Sequence, residues 1–194
     1  MRVLAIEASS AEGSVAVVED DVVQWQESFA APRGRGSEIF RVLASALHVA
    51  GSLDAVVVGT GPGSYNGLRS SIAAGWGIAL ARGIPLHGAS SLLGYDAPEY
   101  FVIGDARAGQ WFLAKVADGA LCGEIELLPP QLAKEALPEN VRIFTASADI
   151  DLPQILHQSP HARQLVRASK GPATPIYLKP PHITSPAFLR TKLG

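Results

Sequence analysis

The chain has 194 residues, of which 47% are apolar and 18% are charged, a composition typical of a globular protein and too apolar for a disordered one. Its net charge of −2, from 16 basic and 18 acidic residues, argues against an unaided electrostatic grip on nucleic acid. A single cysteine, Cys122, excludes an internal disulfide and suits a reducing cytosol, so we expect a cytoplasmic protein. The longest strongly apolar segment, 72–81, is too short to cross a bilayer.

The first hundred residues predict three strands, a helix, a strand, a second helix and a short strand. Ser37 is the expected N-cap of the first helix, and Gly51 follows its last residue. The strands are predicted from alternating or continuous apolar runs. The expected strands are 2–8, 14–18, 22–29, 54–59 and 85–89, the expected helices are 38–50 and 68–82, and a loop is expected at 31–36.

The second half of the chain predicts a reduced repeat of the same order. We expect strands at 101–105, 110–116, 121–127 and 142–145, and helices at 130–136 and 160–168. From Gly171 onward the chain is rich in proline and predicts a surface segment with a short terminal helix at 187–193. We therefore divide the chain into a first lobe, 1–99, and a smaller second lobe, 100–194, with a proline-rich tail.

The segment between the fourth strand and the second helix is rich in glycine. Residues 59–69 read Gly-Thr-Gly-Pro-Gly-Ser-Tyr-Asn-Gly-Leu-Arg. Such a strand–turn–helix junction often holds a ligand or a partner, because the first N–H groups of a helix are unpaired. The spacing fits neither a P-loop, which needs a lysine after its last glycine, nor the dinucleotide-binding fingerprint. A tight turn and a nucleotide contact remain the two alternatives.

These eleven residues closely resemble the Gly-x-Gly-Pro-Gly-Ser-Phe-Thr-Gly-Leu-Arg signature of the TsaB (YeaZ) family, bacterial accessory proteins of threonylcarbamoyladenosine modification of tRNA. The resemblance spans nearly the whole chain and implies an actin-like (ASKHA, ribonuclease-H-like) α/β fold. That fold has two lobes, each with a mixed sheet flanked by helices, and the second lobe is reduced here. The other matching segments, in the same order as in the family, are 3–10, 83–92, 105–107 and 175–179.

The resemblance implies a catalytically silent subunit that binds and activates the transferase TsaD, in a complex that also recruits the ATPase TsaE. That complex modifies N6 of adenosine 37, and this subunit would contact tRNA only indirectly. In the family, the first two helices pack against TsaD, or against a second copy in a homodimer. The equivalent helices here are 38–50 and 68–82. The candidate interface residues are Phe40, Leu47, Leu68, Ile72, Ala73, Trp76 and Leu80.

The second helix has an unusual composition. Large apolar residues recur every four positions from Leu68 to Leu80, beside a row of small residues formed by Ser71, Gly75 and Ala79. Small residues let another backbone approach closely, although glycine lowers helix propensity by roughly 1 kcal/mol. The small-residue row is therefore expected either to pack against the sheet of the same lobe or to receive a partner helix.

Two other functions remain open, a small actin-like ATPase or phosphotransferase and a homodimeric scaffold in another pathway. The first would use nucleotide-binding candidates around the first strand turn and the glycine-rich segment. Such an enzyme needs acidic residues at the first turn to hold Mg²⁺, yet the Asp-x-Gly pattern is missing. We expect Glu7 instead to accept hydrogen bonds from backbone N–H groups of a neighbouring loop. The candidates are Glu7, Ser9, Ser10, Gly61, Gly63 and Ser64.

We predict no cofactor, no catalytic residue and no metal ligand. TsaD carries a His-x-x-x-His metal motif, whereas the corresponding helix here has only His48. His157 and His161 have the same spacing, but Pro160 interrupts it. The chain departs from the family pattern at Glu7 (usually Asp), Tyr65 (Phe), Asn66 (Thr) and Lys179 (Arg).

Overall fold

A computed structural model describes residues 1–30 and 37–179, apart from the side chain of Ser37. The predicted loop at 31–36, the predicted N-cap contact of Ser37 and the predicted terminal helix at 187–193 therefore lie outside the described residues. Within them, no helix is both long and apolar enough to cross a membrane.

The first sheet has five strands in the order β3-β2-β1-β4-β5. The first three strands are antiparallel neighbours, whereas β4 runs parallel to both β1 and β5. The central strands β1 and β4 are buried on both faces, which explains why they read as continuous apolar runs. The elements are β1 (Arg2–Glu7), β2 (Glu12–Glu19), β3 (Val22–Ala30), α1 (Ser37–Ala50), β4 (Ala55–Gly59), α2 (Tyr65–Arg82) and β5 (Leu86–Ala89).

Helices α1 and α2 cover one face of this sheet. The apolar stripe of α1, which includes Ile39, Leu43 and Ala46, packs in the same cluster as Val56 and Val58 of β4. Helix α2 begins three residues earlier than predicted, because the Ser64 side chain accepts a hydrogen bond from the Gly67 N–H and caps the helix. It ends where Gly83 adopts a left-handed conformation.

The second sheet repeats the path of the first, in the order β11-β10-β6-β7-β8, with β9 also pairing with β7. In the first sheet β1 pairs antiparallel with β2 and parallel with β4, and in the second sheet β6 pairs antiparallel with β7 and parallel with β10. The predicted repeat of the order is therefore confirmed, although only the helices of the second half are reduced and its sheet has six strands. The elements are β6 (Glu99–Asp105), β7 (Trp111–Ala117), β8 (Ala120–Leu121), β9 (Glu126–Leu128), α3 (Pro130–Glu135), β10 (Arg142–Thr145), β11 (Ile155–His157) and α4 (Ala162–Leu165).

Two predictions for the second lobe need correction, and one strand was not predicted. The strand expected at 121–127 is divided into β8 and β9, because Gly123 between them has a left-handed conformation. The helix expected at 160–168 is a single turn, α4. Strand β11 was not predicted, since its three residues are too few to show a pattern.

The two sheets share one apolar core. Val3 and Val57 on the second face of the first sheet lie in the same cluster as Tyr100, Val102 and Phe144 of the second sheet. The phenol ring of Tyr95 stacks on Phe144 within this cluster, with ring centroids 4.7 Å apart. The fold is therefore the predicted actin-like α/β fold with two mixed sheets flanked by helices, and apolar side chains join the two sheets.

Candidate functional site

The register of the first sheet brings together the segments that carry the glycine-rich signature. Ile6 pairs with Val58, and Gly59 pairs with Ala89. The ends of three parallel strands thus place the turn after β1, the signature loop 60–64 and the segment after β5 side by side. Most of the sequence-predicted nucleotide contacts lie at this one junction.

Two signature glycines allow the loop and α2 to lie directly on the turn after β1. A Cβ atom on Gly63 would collide with the backbone of Ser9, and one on Gly67 would collide with the carbonyl oxygen of Ala8. The Ser64 N–H donates a 2.6 Å hydrogen bond to the Ser9 carbonyl. These glycines therefore make room for neighbouring backbone of the same chain.

The third signature glycine, Gly61, is held from the opposite side by the segment after β5. Its φ of +90° is a conformation that L side chains rarely adopt. The Gly61 N–H donates to Ser91 Oγ at 2.9 Å, and its carbonyl accepts from the Ser91 N–H at 2.9 Å. Thr60 is bound likewise, since its N–H donates to Ala89 and its carbonyl accepts from the Ile176 N–H.

A nucleotide contact at the signature loop would need backbone N–H groups that are available to a phosphate. A phosphate-binding loop aims successive backbone N–H groups at the anion. Here the N–H groups of Thr60, Gly61 and Ser64 all donate to acceptors within the chain. The structure therefore brings Gly61, Gly63 and Ser64 together as predicted, but in a packed turn.

The carboxyl group of Glu7 is buried at the centre of this junction, and its residue has no solvent exposure. Oε1 accepts from the Ser9 N–H at 2.5 Å, and Oε2 accepts from Ser91 Oγ at 2.7 Å. A Cβ on Gly59 would collide with Oε2, so this fourth signature glycine makes space for the carboxyl group. Burial raises the pKa of Glu7, and the hydrogen bonds from Ser9 and Ser91 oppose that effect.

Glu7 thus has the hydrogen-bonding role predicted for it, with one difference. The backbone N–H comes from its own turn, and the contact to the neighbouring loop comes from the hydroxyl of Ser91, which the sequence analysis did not single out. The signal for Ser91 was its place in the segment 83–92 that resembles the family. Ser9 and Ser10 are also buried, and Ser10 Oγ donates to the Glu12 carbonyl at 2.6 Å.

The small-residue row of α2 is predicted either to pack against its own sheet or to receive a partner helix. Ser71, Gly75 and Ala79 are buried, and a Cβ on Gly75 would lie 2.6 Å from Val58 Cγ1. The small-residue row therefore packs against its own sheet, at Val58 and Leu86.

Two candidate interface residues do not face outward. Leu68 and Ile72 are buried in the first lobe, so these two interface candidates do not belong to an exposed surface of α2. Because residues four apart on an α-helix differ by about 400° in rotation, a row at this spacing turns by about 40° at each step. The row therefore starts in the core at Leu68 and reaches solvent at Trp76 and Leu80.

The outer side of the two helices carries large exposed apolar side chains. Trp76 is 57% exposed and Leu80 is 82% exposed, and Phe40 of α1 is exposed as well. Both helices pack on the same face of the sheet, and Arg82 of α2 donates to the carbonyl of Gly51, which follows α1. The outer helix face, as we call it, consists of Phe40, Ala73, Trp76, Gly77 and Leu80.

The remaining candidates lie apart from this surface. Leu47 is half-buried and packs against the core of the first lobe. His157 ends β11 and His161 precedes α4, so the two do not share a helix. Among residues 1–30 and 37–179, no three His, Cys, Asp or Glu side chains form a group that could hold a metal. A cavity of about 310 Å³ near Tyr95 and Arg167 includes none of the predicted site residues.

Comparison with known proteins places the chain among its relatives. Residues 37–119 match the family described as "TsaD: tRNA N6-adenosine threonylcarbamoyltransferase". An uncharacterized protein of Mycobacterium tuberculosis is 32% identical over 158 residues, which cover 74% of this chain and 72% of that protein. The tRNA threonylcarbamoyladenosine biosynthesis protein TsaB of Escherichia coli is 32% identical over 97 residues, 48% of this chain and 42% of that protein.

The chain belongs to the TsaB (YeaZ) family. A solved structure of YeaZ from Pseudomonas aeruginosa superimposes with a TM-score of 0.72 at 22% sequence identity, covering 91% of this chain and 99% of that one. The two-sheet architecture of this TsaB-family chain is therefore also that of the solved YeaZ structure.

Proposed function

We propose that this protein is a non-catalytic accessory subunit of the complex that makes N6-threonylcarbamoyladenosine at position 37 of tRNA in the cytoplasm. In this proposal the outer helix face binds and activates a TsaD protein, and the resulting complex recruits TsaE. The proposal rests on the exposure of Trp76 and Leu80 of α2 and of Phe40 of α1, two helices that pack on the same face of the first sheet. The name of the Escherichia coli relative supplies the pathway.

The composition of the outer helix face favours a protein partner. Large exposed apolar groups that lie together mark interaction surfaces more often than scattered ones do. Tryptophan is among the residues that most often dominate the binding energy of an interface. A Cβ on Gly77 would have no atom of this chain within 4 Å. Because internal packing does not require glycine there, its cost to the helix fits a site where a partner backbone approaches closely.

The closed junction around Glu7 supports a non-catalytic role. The carboxyl group is fully buried, and its two oxygens accept hydrogen bonds from the Ser9 N–H and the Ser91 hydroxyl. The backbone N–H groups of Thr60, Gly61 and Ser64 are bonded internally. The junction is thus built to hold α2 in place against the sheet, and α2 carries most of the outer helix face.

In the absence of TsaD, we propose that the same face is covered by a second copy of this chain. An apolar surface used for a partner can also bind its own copy around a twofold axis. The net charge of −2 fits a complex in which other subunits make most of the contacts with tRNA.

Co-purification with the TsaD protein of the same organism tests this proposal. We expect the native chain to form a stable complex and Trp76→Arg to lose it, because the substitution places a charge in an apolar interface. Leu132→Arg is the matched control, since Leu132 is 50% exposed but lies on α3 of the second lobe. Loss of the complex in both variants, or in neither, would contradict the assignment of the surface. A homodimer that does not bind TsaD would favour the alternative function, a scaffold in another pathway.

A further inference from the structure

Beside the outer helix face, the structure contains an exposed group of aromatic and basic side chains. The aromatic–basic cluster, as we call it, comprises Tyr65 and Arg69 of α2, Arg107 of the β6–β7 turn, and Tyr177 and Lys179 near the end of the described chain. The rings of Tyr65 and Tyr177 are 5.2 Å apart between centroids, and they are 42% and 43% exposed. These two tyrosines thus present ring surface to solvent.

One basic group borders the ring of Tyr65, and two more lie near the segment that carries Tyr177. The Arg69 guanidinium lies 5.1 Å from the centroid of Tyr65 and donates to its hydroxyl at 3.0 Å. Lys179, two residues after Tyr177, donates from Nζ to the Arg107 carbonyl at 2.7 Å, so these two basic residues lie beside each other. Asp105 pairs with Arg107 at 3.5 Å. Three cations and this one carboxylate give the cluster a local charge of about +2, on a chain whose net charge is −2.

The backbone holds the cluster in place. The Ile176 N–H donates to the Thr60 carbonyl at 2.7 Å, so the segment that carries Tyr177 is attached to the signature loop. Paired hydrogen bonds between Gly88 and Gly171 fix the start of the same segment. The two rings therefore come from segments tied to the rigid junction around Glu7.

We propose that the aromatic–basic cluster binds a single-stranded segment of RNA, with a base stacked on the tyrosine rings and the neighbouring phosphates at Arg69, Arg107 and Lys179. Exposed aromatic rings bordered by cations are the usual way in which proteins bind unpaired bases without reading sequence. The local excess of positive charge favours a polyanion over an apolar peptide. The identity of the RNA as the tRNA substrate rests on the proposed function, whereas the stacking site itself does not. A tRNA bound here would contact this chain directly, which differs from the indirect contact that the family resemblance implies.

The aromatic–basic cluster and the outer helix face both include residues of one exposed stripe of α2. Tyr65, Arg69, Ala73, Trp76 and Leu80 follow one another at spacings of three or four residues, and all are exposed, so they form one stripe along α2. Fifteen residues of helix span about 22 Å. An RNA segment held at the N-terminal end of this stripe would therefore lie next to a protein bound at its C-terminal end.

Fluorescence anisotropy tests the proposal with the full chain and a labelled single-stranded RNA heptamer that contains 2-aminopurine. We expect saturable binding at low salt, with quenching of the 2-aminopurine as it stacks. Tyr177→Ala should weaken binding by about fivefold to a hundredfold, the range for loss of one stacked base. Tyr177→Phe, which keeps the ring, should bind like the native chain. With about three phosphates neutralised on a single strand, log K should fall with log salt with a slope of about −2.

Three outcomes would overturn the proposal. They are no anisotropy change up to the highest concentration at which the chain stays monodisperse, binding that Tyr177→Ala leaves unchanged, and a Tyr177→Ala variant that loses TsaD instead of RNA. The last outcome would make the cluster part of the protein interface. Trp76→Arg separates this proposal from the proposed function, because it should lose TsaD and still bind the heptamer.

Discussion

At the scale of single residues, glycines of the signature segment 59–69 make space for neighbouring groups of the same chain. Gly59 makes space for the Glu7 carboxyl, while Gly63 and Gly67 make space for the backbone of the first turn. The sequence indicated a special turn here, and it predicted that Glu7 would accept hydrogen bonds. It could not show that Ser91 completes the contact, because the two residues are 84 positions apart and meet only when β5 joins the sheet.

The burial of Glu7 predicts a distinctive dependence of stability on pH. Because its pKa in the folded chain is raised above the ordinary value of 4.5, its contribution to folding is fully present below that value and is lost as pH rises through the folded pKa. We expect the unfolding free energy of Glu7→Gln, relative to the native chain, to increase with pH over this window and then to level off. Urea denaturation at several pH values measures it, and parallel profiles for the two proteins would contradict it.

At the scale of elements, the sequence predicted the first lobe well. Its helices and strands are long and periodic, and their bounds were placed within about three residues. The second lobe was predicted less well because β8, β9, β11 and α4 have two to four residues each. Such short elements are determined by tertiary pairing and leave no periodicity. The residues Leu68, Ile72, Trp76 and Leu80 are all interface candidates in the sequence, but they do not share one side of the helix. Residues four apart are rotated by about 40° from one another, so the row runs from the core to the surface.

Two of the glycines of α2, Gly75 and Gly77, should respond in opposite ways to substitution by alanine. Gly75→Ala would force a Cβ against Val58 and Leu86 and cost about 1–3 kcal/mol of stability. Gly77→Ala meets no atom within 4 Å and should stabilise the chain by up to about 1 kcal/mol. Urea unfolding measures both changes at concentrations where the chain is monomeric. A destabilising Gly77→Ala or a neutral Gly75→Ala would contradict the assigned inner and outer sides of α2.

At the scale of the whole molecule, the two sheets share a core, although the chain reads as two lobes in sequence. The division at residue 100 remains a prediction about the sequence repeat, and the packing of Tyr95, Tyr100 and Phe144 across it was not visible in the sequence. Alternating patterns show which residues are buried but do not show which sheet covers them.

The shared core predicts that the two lobes unfold together. Calorimetry should show one transition, with equal calorimetric and van't Hoff enthalpies. Tyr100→Phe removes the 2.9 Å hydrogen bond from the Tyr100 hydroxyl to the Leu92 carbonyl. Because this bond is buried at the junction of the lobes, its loss should lower stability by about 1 kcal/mol or more and still leave a single transition. Two separate transitions would show that the lobes fold independently.

Titration calorimetry of the purified proteins measures binding of TsaD to the outer helix face. We expect one-to-one binding whose Kd rises at least about thirtyfold in Trp76→Arg, as for a residue worth about 2 kcal/mol or more. Leu132→Arg should leave the Kd unchanged. Equal affinity of Trp76→Arg and the native chain for TsaD would show that the interface lies elsewhere.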